Sequence, residues 1–332
     1  MKQEILRVPC QIPKRGHSFV FLGSTMPAIL LIKTSSMGDV IHNLPVVSDI
    51  AEHYPNATID WVVEESFAAI PAMHPAVRNV IPVALRRWRH CPFGSSTRRE
   101  FAQFREAIRK EQYDLVIDTQ GLFKSAMISK FANGVRCGFD RKSAREPLAS
   151  LFYDEKKFVE KSLHAVIRNR MLAASCLGYS VEPPIDYGIT LQAEKGDYAV
   201  LLHATSRADK LWEESNWIEL GKNLNMKTVL PWGSLEEKMR SERLAAAIPG
   251  ATVPEKLSLS DAARLLAGAS VAFGVDTGLA HLAAALRIPV IGIYCSTDPD
   301  LTGILTSGKG INLGCRNGPP SVEDALSAWK SL

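Results

Sequence analysis

The chain has no C-x-x-C pair. Its six cysteines, Cys10, Cys91, Cys137, Cys176, Cys295 and Cys315, are scattered along 332 residues. That distribution suits a reduced protein better than a disulfide framework or a zinc site. No His/Cys/Asp set has metal-ligand spacing. No apolar run approaches the roughly 20 residues needed to span a bilayer. Charge of one sign is scarce: the formal net charge is +4, and Lys2, Arg7, Lys14 and Arg15 against Glu4 supply most of it. A general nucleic-acid footprint is therefore unsupported. The first strand–helix turn carries neither G-x-G-x-x-G nor G-x-x-x-x-G-K-[ST]. What remains is an ordinary globular composition, 46% hydrophobic and 22% charged, at a length that suits two domains.

Residues 1–25 read as an extension outside the core. An apolar stretch follows Lys14-Arg15, as in a signal peptide. Gly23, Ser24, Thr25 and Pro27 break it, and it runs on into the first core strand, where cleavage would damage the fold. From there short apolar runs alternate with helical patterns. Strands are expected at 28–32, 59–63, 79–83 and 114–118, then at 199–203, 227–231, 271–275 and 289–294. Several are near-continuous Val, Ile and Leu, as strands buried on both faces are. Helical periodicity marks 40–54, 98–112, 161–178, 214–224, 235–247 and 258–268. This alternation implies parallel sheets with right-handed crossovers. Glu182-Pro-Pro-Ile-Asp-Tyr-Gly188 interrupts it. We expect an α/β protein of two Rossmann-like domains, 26–185 and 186–332, facing each other across a cleft. The final helix is a candidate to pack back on the first domain.

Ligands of such sheets sit beyond the carboxyl ends of the strands. In the second half, Asp276-Thr-Gly278 stands between a strand and a helix. Unpaired N–H groups and the helix dipole make that helix start attractive to phosphate. His281 lies one turn on, on the face of Thr277. Thr205, Ser206 and Lys210 follow another strand and offer hydroxyls and a charge. Glu237 follows a third, where a carboxylate can accept from ribose hydroxyls or simply complement the helix dipole. Together these describe a nucleotide-diphosphate pocket.

The first half is built for the opposite task. Arg86, Arg87, Arg89, Arg98 and Arg99 crowd one loop-like stretch without an acid. Arg136, Arg141, Lys142 and Arg145 crowd another, offset only by Asp140. They suit a polyanionic ligand, although charge runs are often just solvated faces. Trp88 and His90 stand in the first cluster, but aromatic residues are not interleaved as RNA stacking platforms. Lys33, Ser35, Ser36, Gly38 and Asp39 share the turn after the first strand. A carboxylate among cations stays ionised and can accept a proton from an attacking hydroxyl. Its alternative role is to cap the helix that follows. Asp118 ends another strand, where it can orient an acceptor or tie down loops. Asp298-Pro-Asp300 matches D-x-D but lies in a Pro-rich turn that explains both residues.

In combination, Lys33-Thr-Ser-Ser-Met-Gly-Asp39, Trp61-Val-Val-Glu-Glu65, Asp118-Thr-Gln-Gly-Leu-Phe-Lys-Ser125, Gly138-Phe-Asp-Arg-Lys-Ser-Ala-Arg-Glu-Pro147, His203-Ala-Thr-Ser206 and Val275-Asp-Thr-Gly278 resemble the lipopolysaccharide heptosyltransferases. Within them, the likeness is nearer to the type that adds the first heptose to Kdo2-lipid A. It covers about residues 26–315. The resemblance implies a GT-B fold and an inverting transfer from ADP-L-glycero-D-manno-heptose that needs no metal or other cofactor. Asp39 would be the general base. Thr205, Ser206, Lys210, Asp276, Thr277, Gly278 and His281 would hold the donor, with Glu237 on the ribose and Leu257 beside the adenine. Lys33, Ser36, Gly38, Arg86, Arg87, Arg89, Asp118, Arg136 and Arg145 would meet the acceptor. The lipid acceptor implies work at the cytoplasmic face of the inner membrane, with no nucleic-acid partner. The alternatives are the type that adds the next heptose, a nucleotide-sugar-binding module without transfer, and a nicotinamide-dependent oxidoreductase, against which the missing G-x-G-x-x-G argues.

Overall fold

The computed structural model describes residues 26–315 and 318–332, so the expected extension, 1–25, lies outside the described residues. The first half holds β1 (Ala28–Ile32), β2 (Thr58–Glu64), β3 (Val77–Val83), β4 (Gln112–Asp118), β5 (Asn133–Phe139) and β6 (Glu155–Lys157). The second holds β7 (Tyr198–Leu202), β8 (Lys227–Val229), β9 (Ala251–Thr252), β10 (Val271–Val275), β11 (Val290–Tyr294) and β12 (Gly310–Gly314). They form two separate sheets, ordered β3-β2-β1-β4-β5-β6 and β12-β11-β10-β7-β8-β9. All the ladders are parallel. Counted within its own half, each sheet has the same doubly wound order, with a reversal between its first and fourth strands. Such reversal points open a crevice at the carboxyl edge. Here they lie between β1 and β4 and between β7 and β10.

Strand periodicity builds the layers. Leu30 and Ile32 of β1 bury in a cluster with Trp88, Phe104 and Ile108 on one face of the sheet. Ile29 and Leu31 turn to the other face. That second cluster also contains Val200, Ala272, Ala280 and Leu282. One apolar layer therefore runs from the first sheet to the second and joins the halves.

The eight expected strands all form. β5, β6, β9 and β12 were not expected, because each lacks an apolar run. β5 reads Asn-Gly-Val-Arg-Cys-Gly-Phe, β6 is Glu-Lys-Lys, β9 has two residues, and β12 is bounded by glycines. Three of these four, β6, β9 and β12, are sheet edges and β5 is next to one, where polar residues protect an open ladder.

Two expectations are corrected. The final helix, Val322–Ser331, does not return to the first domain. Val322, Ala325 and Ala328 bury beside Trp212 and Trp217 in the second core. Trp212 Nε1 donates to Pro320 O at 3.0 Å just ahead of that helix. The cysteines are not all free either, since Cys137 of β5 is bonded to Cys176, with Cα atoms 6.3 Å apart. They are separated by 39 positions, and only the packing of helix Ala165–Leu177 on β5 brings them together.

Candidate active site

In a parallel sheet all carboxyl ends lie on one edge, so the topology gathers the turns after β1, β2, β3, β4 and β5. The turn after β1 leads into a short helix, Met37–Ile41, capped by Ser36. Asp39 stands in its first turn. Its Oδ2 accepts from Ser36 N at 2.8 Å and Ser36 Oγ at 3.1 Å. Arg145, arriving from the turn after β5, brings Nη1 to 4.0 Å of the same oxygen. Asp39 therefore fills the capping role, through one oxygen, while its side chain stays 28% exposed. Gln120, from the turn after β4, braces the peptide. It accepts from Thr34 N at 2.9 Å and donates to Ser35 O at 2.6 Å.

Several expected acceptor contacts are already committed to protein partners. Lys33 points inward and is buried; its Nζ donates to Thr119 O at 2.8 Å and Asn169 Oδ1 at 3.3 Å. Burial lowers its pKa, against the attraction of Asp39 and Asp118. Lys33 therefore holds the turn from beneath instead of facing a ligand. Asp118 is fully buried, accepting from Tyr153 Oη at 2.7 Å and Gln120 N at 2.8 Å. Its burial raises its pKa, and it ties loops together, the alternative the sequence left open. Arg136 sits within β5, short of the carboxyl edge, and is clamped by Asp154 at 2.6 Å. Arg87 is held by Glu65 at 3.0 Å and Glu100 at 2.8 Å. Those acids come from β2's turn and the following helix, so the cluster is not acid-free in space. Arg86 stacks over Phe67 at 5.0 Å. Arg86, Arg89 and Arg145 remain exposed at the edge.

In the second half the crevice between β7 and β10 brings the expected donor residues together. Thr205 Oγ1 donates to Asp276 O at 3.1 Å, and Lys210 Nζ to Asp276 Oδ2 at 2.7 Å. Thr297 Oγ1 donates to the same oxygen at 2.8 Å, and His281 Nε2 lies 3.7 Å from Oδ1. Burial alone would raise the pKa of Asp276, but the contacts with His281 and Lys210 outweigh it and hold the carboxyl well below the usual range. Thr277 caps helix Gly278–Ala285 in extended conformation. Ser206 is exposed beside it. Glu237 lies at the next strand end but closes a capping box there, with Oε2 accepting from Gly233 N at 2.7 Å. Leu257 is half-buried in the connection before helix Leu259–Gly268. Two surface cavities open near the amino ends of the second sheet, lined in part by Lys195 and Tyr198, away from this edge.

The two crevices meet. Helix Met37–Ile41 packs on helix Gly278–Ala285. A Cβ at Gly278 would run into Met37, and one at Gly38 would come within 3.1 Å of His281 Cδ2. Gly38 thus makes room for the other half of the molecule and not for an acceptor. His42 Nε2 faces His281 Nδ1 at 3.2 Å, and His164 stands 5.6 Å from His42 between ring centres. Sequence reading missed His42, Thr297, Gln120 and His164. His42 was within reach, three residues after Asp39; the others meet the site only through the fold.

These histidines make stability depend on pH. Burial, then the neighbouring His281 and His164, hold the His42 pKa well below its usual value, and burial brings those of His164 and His203 to about 4. An unfolded histidine takes its proton near 6.5. Stability is therefore complete above that pH and is lost as pH falls from there towards 4, because the unfolded state binds more protons. By about pH 5 His164 and His203 each cost about 2 kcal/mol. Thermal melting at pH 7.5 and 5 should show a drop that His164→Gln reduces; an equal drop in that variant would contradict the assignment.

Among the described residues no group of three or more His, Cys, Asp or Glu side chains is arranged to hold a metal ion. Asp298 of the D-x-D stretch caps the turn Pro299–Thr302 and accepts from Asp300 N at 2.9 Å.

Comparison with known proteins gives a consistent answer. A family model described as glycosyltransferase family 9 (heptosyltransferase) matches residues 101–327. Lipopolysaccharide heptosyltransferase 1 of Escherichia coli K12 is 49% identical over 286 residues, spanning 83% of this chain and 90% of that protein. The structure of E. coli heptosyltransferase WaaC with ADP superposes with a TM-score of 0.86 at 44% identity, covering 92% of this chain and 99% of the other. The same enzyme with ADP-2-deoxy-2-fluoro heptose gives a TM-score of 0.83 at 43% identity, with the same coverage.

Proposed function

The chain belongs to glycosyltransferase family 9, the heptosyltransferases, and from that premise we propose that it moves L-glycero-D-manno-heptose from ADP-heptose to the Kdo of Kdo2-lipid A, with inversion, in lipopolysaccharide inner-core biosynthesis. The packing of the Asp39 helix directly on the Asp276-Thr-Gly278 helix carries this reading. It supports reading the Asp39 turn and the crevice at Asp276 as the two sides of one reaction centre. The first domain, 26–185, takes the acceptor and the second, 186–332, the donor.

An inverting displacement needs a base on the acceptor side and positive stabilisation of the leaving group on the other. Asp39 accepts the Kdo hydroxyl proton as that oxygen attacks the anomeric carbon of the heptose. The bond from that carbon to the diphosphate oxygen breaks on the opposite face, and ADP departs with the electron pair. Lys210, the Thr277 hydroxyl and the first N–H groups of helix Gly278–Ala285 meet its growing charge, and Thr205 braces the Asp276 backbone beneath them. Asp276 keeps Lys210 in place, and Glu237 and Leu257 take the ribose and adenine. Arg86, Arg89 and Arg145 meet the acceptor's anionic groups at the cytoplasmic face of the inner membrane.

The turn Lys33–Asp39, the segment His203–Ser206 and the heptosyltransferase 1 relative favour addition of the first heptose over the second. The test is transfer from ADP-heptose to Kdo2-lipid A with EDTA present, beside an acceptor already carrying one heptose. No transfer by folded protein would overturn the proposal; loss only with EDTA would bring in a metal. Lys210→Met should weaken ADP binding about 10- to 100-fold, the worth of a charge-assisted hydrogen bond, when read by calorimetry. An unchanged affinity would remove Lys210 from the diphosphate site.

A further inference from the structure

Helix Phe123–Ser129 and the 3-10 turn Pro147–Phe152 pack on each other through buried Ala126, Ala149 and Tyr153. The outer face of this pair is apolar and open. Phe123 is 46% exposed, Met127 38%, Leu148 62% and Leu151 72%. The spacing explains the alignment: i and i+4 share a face of an α-helix, and i and i+3 share one in a 3-10 turn. Phe152 lies against Phe123, with ring centres 5.3 Å apart, and ties the two rows into one surface.

The rim of this surface is basic. Lys124, Lys130, Arg141 and Lys142 are all exposed on the same segments or the stretches adjoining them. Lys130 Nζ stands 6.0 Å from the Phe152 ring centre. The nearby acids are engaged: Glu146 accepts from Phe123 N, Asp140 from Ser143 N at 2.7 Å, and Asp154 from Arg136. The patch also borders the candidate site. Lys124 Nζ is 3.4 Å from Ser35 Oγ, and Arg145 reaches Asp39.

We infer that the outer face of Phe123–Ser129 and Pro147–Phe152 docks on an anionic lipid bilayer, with Phe123, Met127, Leu148 and Leu151 entering the interface and the lysine and arginine rim meeting lipid phosphates. Exposed apolar side chains flanked by cations are the combination that binds such a surface, through buried area and charge together. The partner's lipid nature rests on the proposed function; the docking surface itself can be tested without any transfer reaction. The consequence for that reaction is positional. Docking here holds the Asp39 turn at the height of a sugar rooted in the same membrane.

The test is co-sedimentation of the full chain with phosphatidylethanolamine/phosphatidylglycerol vesicles, beside pure phosphatidylcholine vesicles. The wild type should partition to the anionic vesicles, less so at high salt. Leu148→Ser/Leu151→Ser should lower partitioning by about tenfold or more, given the apolar area removed, with an unchanged melting temperature because both side chains are exposed. Lys130→Glu should weaken binding to anionic vesicles only. Transfer to acceptor embedded in vesicles should fall in the double variant, while transfer to a deacylated, water-soluble acceptor should not. Wild type that ignores anionic vesicles, or a double variant that binds them equally, would overturn the inference. So would a concentration-dependent dimer lost in the double variant with no vesicle binding, which would make the partner a second copy of the chain. Vesicle binding without any transfer would instead count against the proposed function and leave the docking surface standing.

Discussion

Asp39→Asn is expected to lower heptose transfer by about 10²- to 10⁴-fold, the usual worth of a positioned general base. ADP affinity should stay within about twofold, since the group acts only as the acceptor hydroxyl loses its proton. Asparagine is the right replacement because its Oδ1 can still accept from Ser36 N, the 2.8 Å bond that starts helix Met37–Ile41. The variant therefore removes the basic oxygen and keeps the cap. Alanine would remove both and mix a folding effect into the rate. Initial rates and ADP calorimetry on the same preparation separate the outcomes. Full turnover in Asp39→Asn would take Asp39 out of the chemistry and leave it a helix cap. Loss of ADP binding with the rate would mean that the variant disturbs the packing of Met37 and Gly38 on the donor helix.

The second large effect is on stability. Arg170 and Asp49 form a pair with side chains only 3% and 8% exposed. The guanidinium grips the carboxylate in a fork, at 2.8 and 2.7 Å, and also donates to Glu182 O at 2.7 Å. It thereby joins helix Leu44–His53, helix Ala165–Leu177 and the connection between the halves. Burial raises the pKa of Asp49 despite Arg170, a sign that desolvation is a large opposing cost. Breaking such a pair from one side leaves a buried charge alone, so Asp49→Ala should cost about 3–5 kcal/mol. Replacing both, as Asp49→Leu/Arg170→Met, should cost less than either single change, because no orphan charge remains. Urea titration of the three variants checks this. A single-variant loss below about 1 kcal/mol, the range of an exposed pair, would contradict the assignment.

The layout of the molecule was legible because its signals are local. Near-continuous apolar runs at Ile29–Ile32 and Val271–Val275, alternating with helical patterns, read as buried strands, and the glycine and carboxylate after each mark a turn at the working edge. Asp276, Thr277, Lys210 and Thr205 were found on that logic and stand within one crevice. The logic failed where charge was read along the chain instead of across space. Arg87 lies in a run without acids, yet Glu65 and Glu100 reach it from two other elements. Lys33 and Asp118 occupy the right edge but face inward, since position in a strand end does not say which way a side chain turns.

Propensity and periodicity are properties of neighbours along the chain, so the alternating β and α elements, the two halves and the residue types at each strand end could be read from the residues alone. Tertiary structure alone decided which of those residues are free. Burial of Lys33 and Asp118, the Arg136–Asp154 clamp, the Cys137–Cys176 bond and the placing of the last helix all depend on contacts between distant segments. So does the meeting of Gly38 with His281 and Met37 with Gly278. Only the close approach of two helices, each with a glycine at the point of contact, brings the Asp39 turn against the helix that follows Asp276.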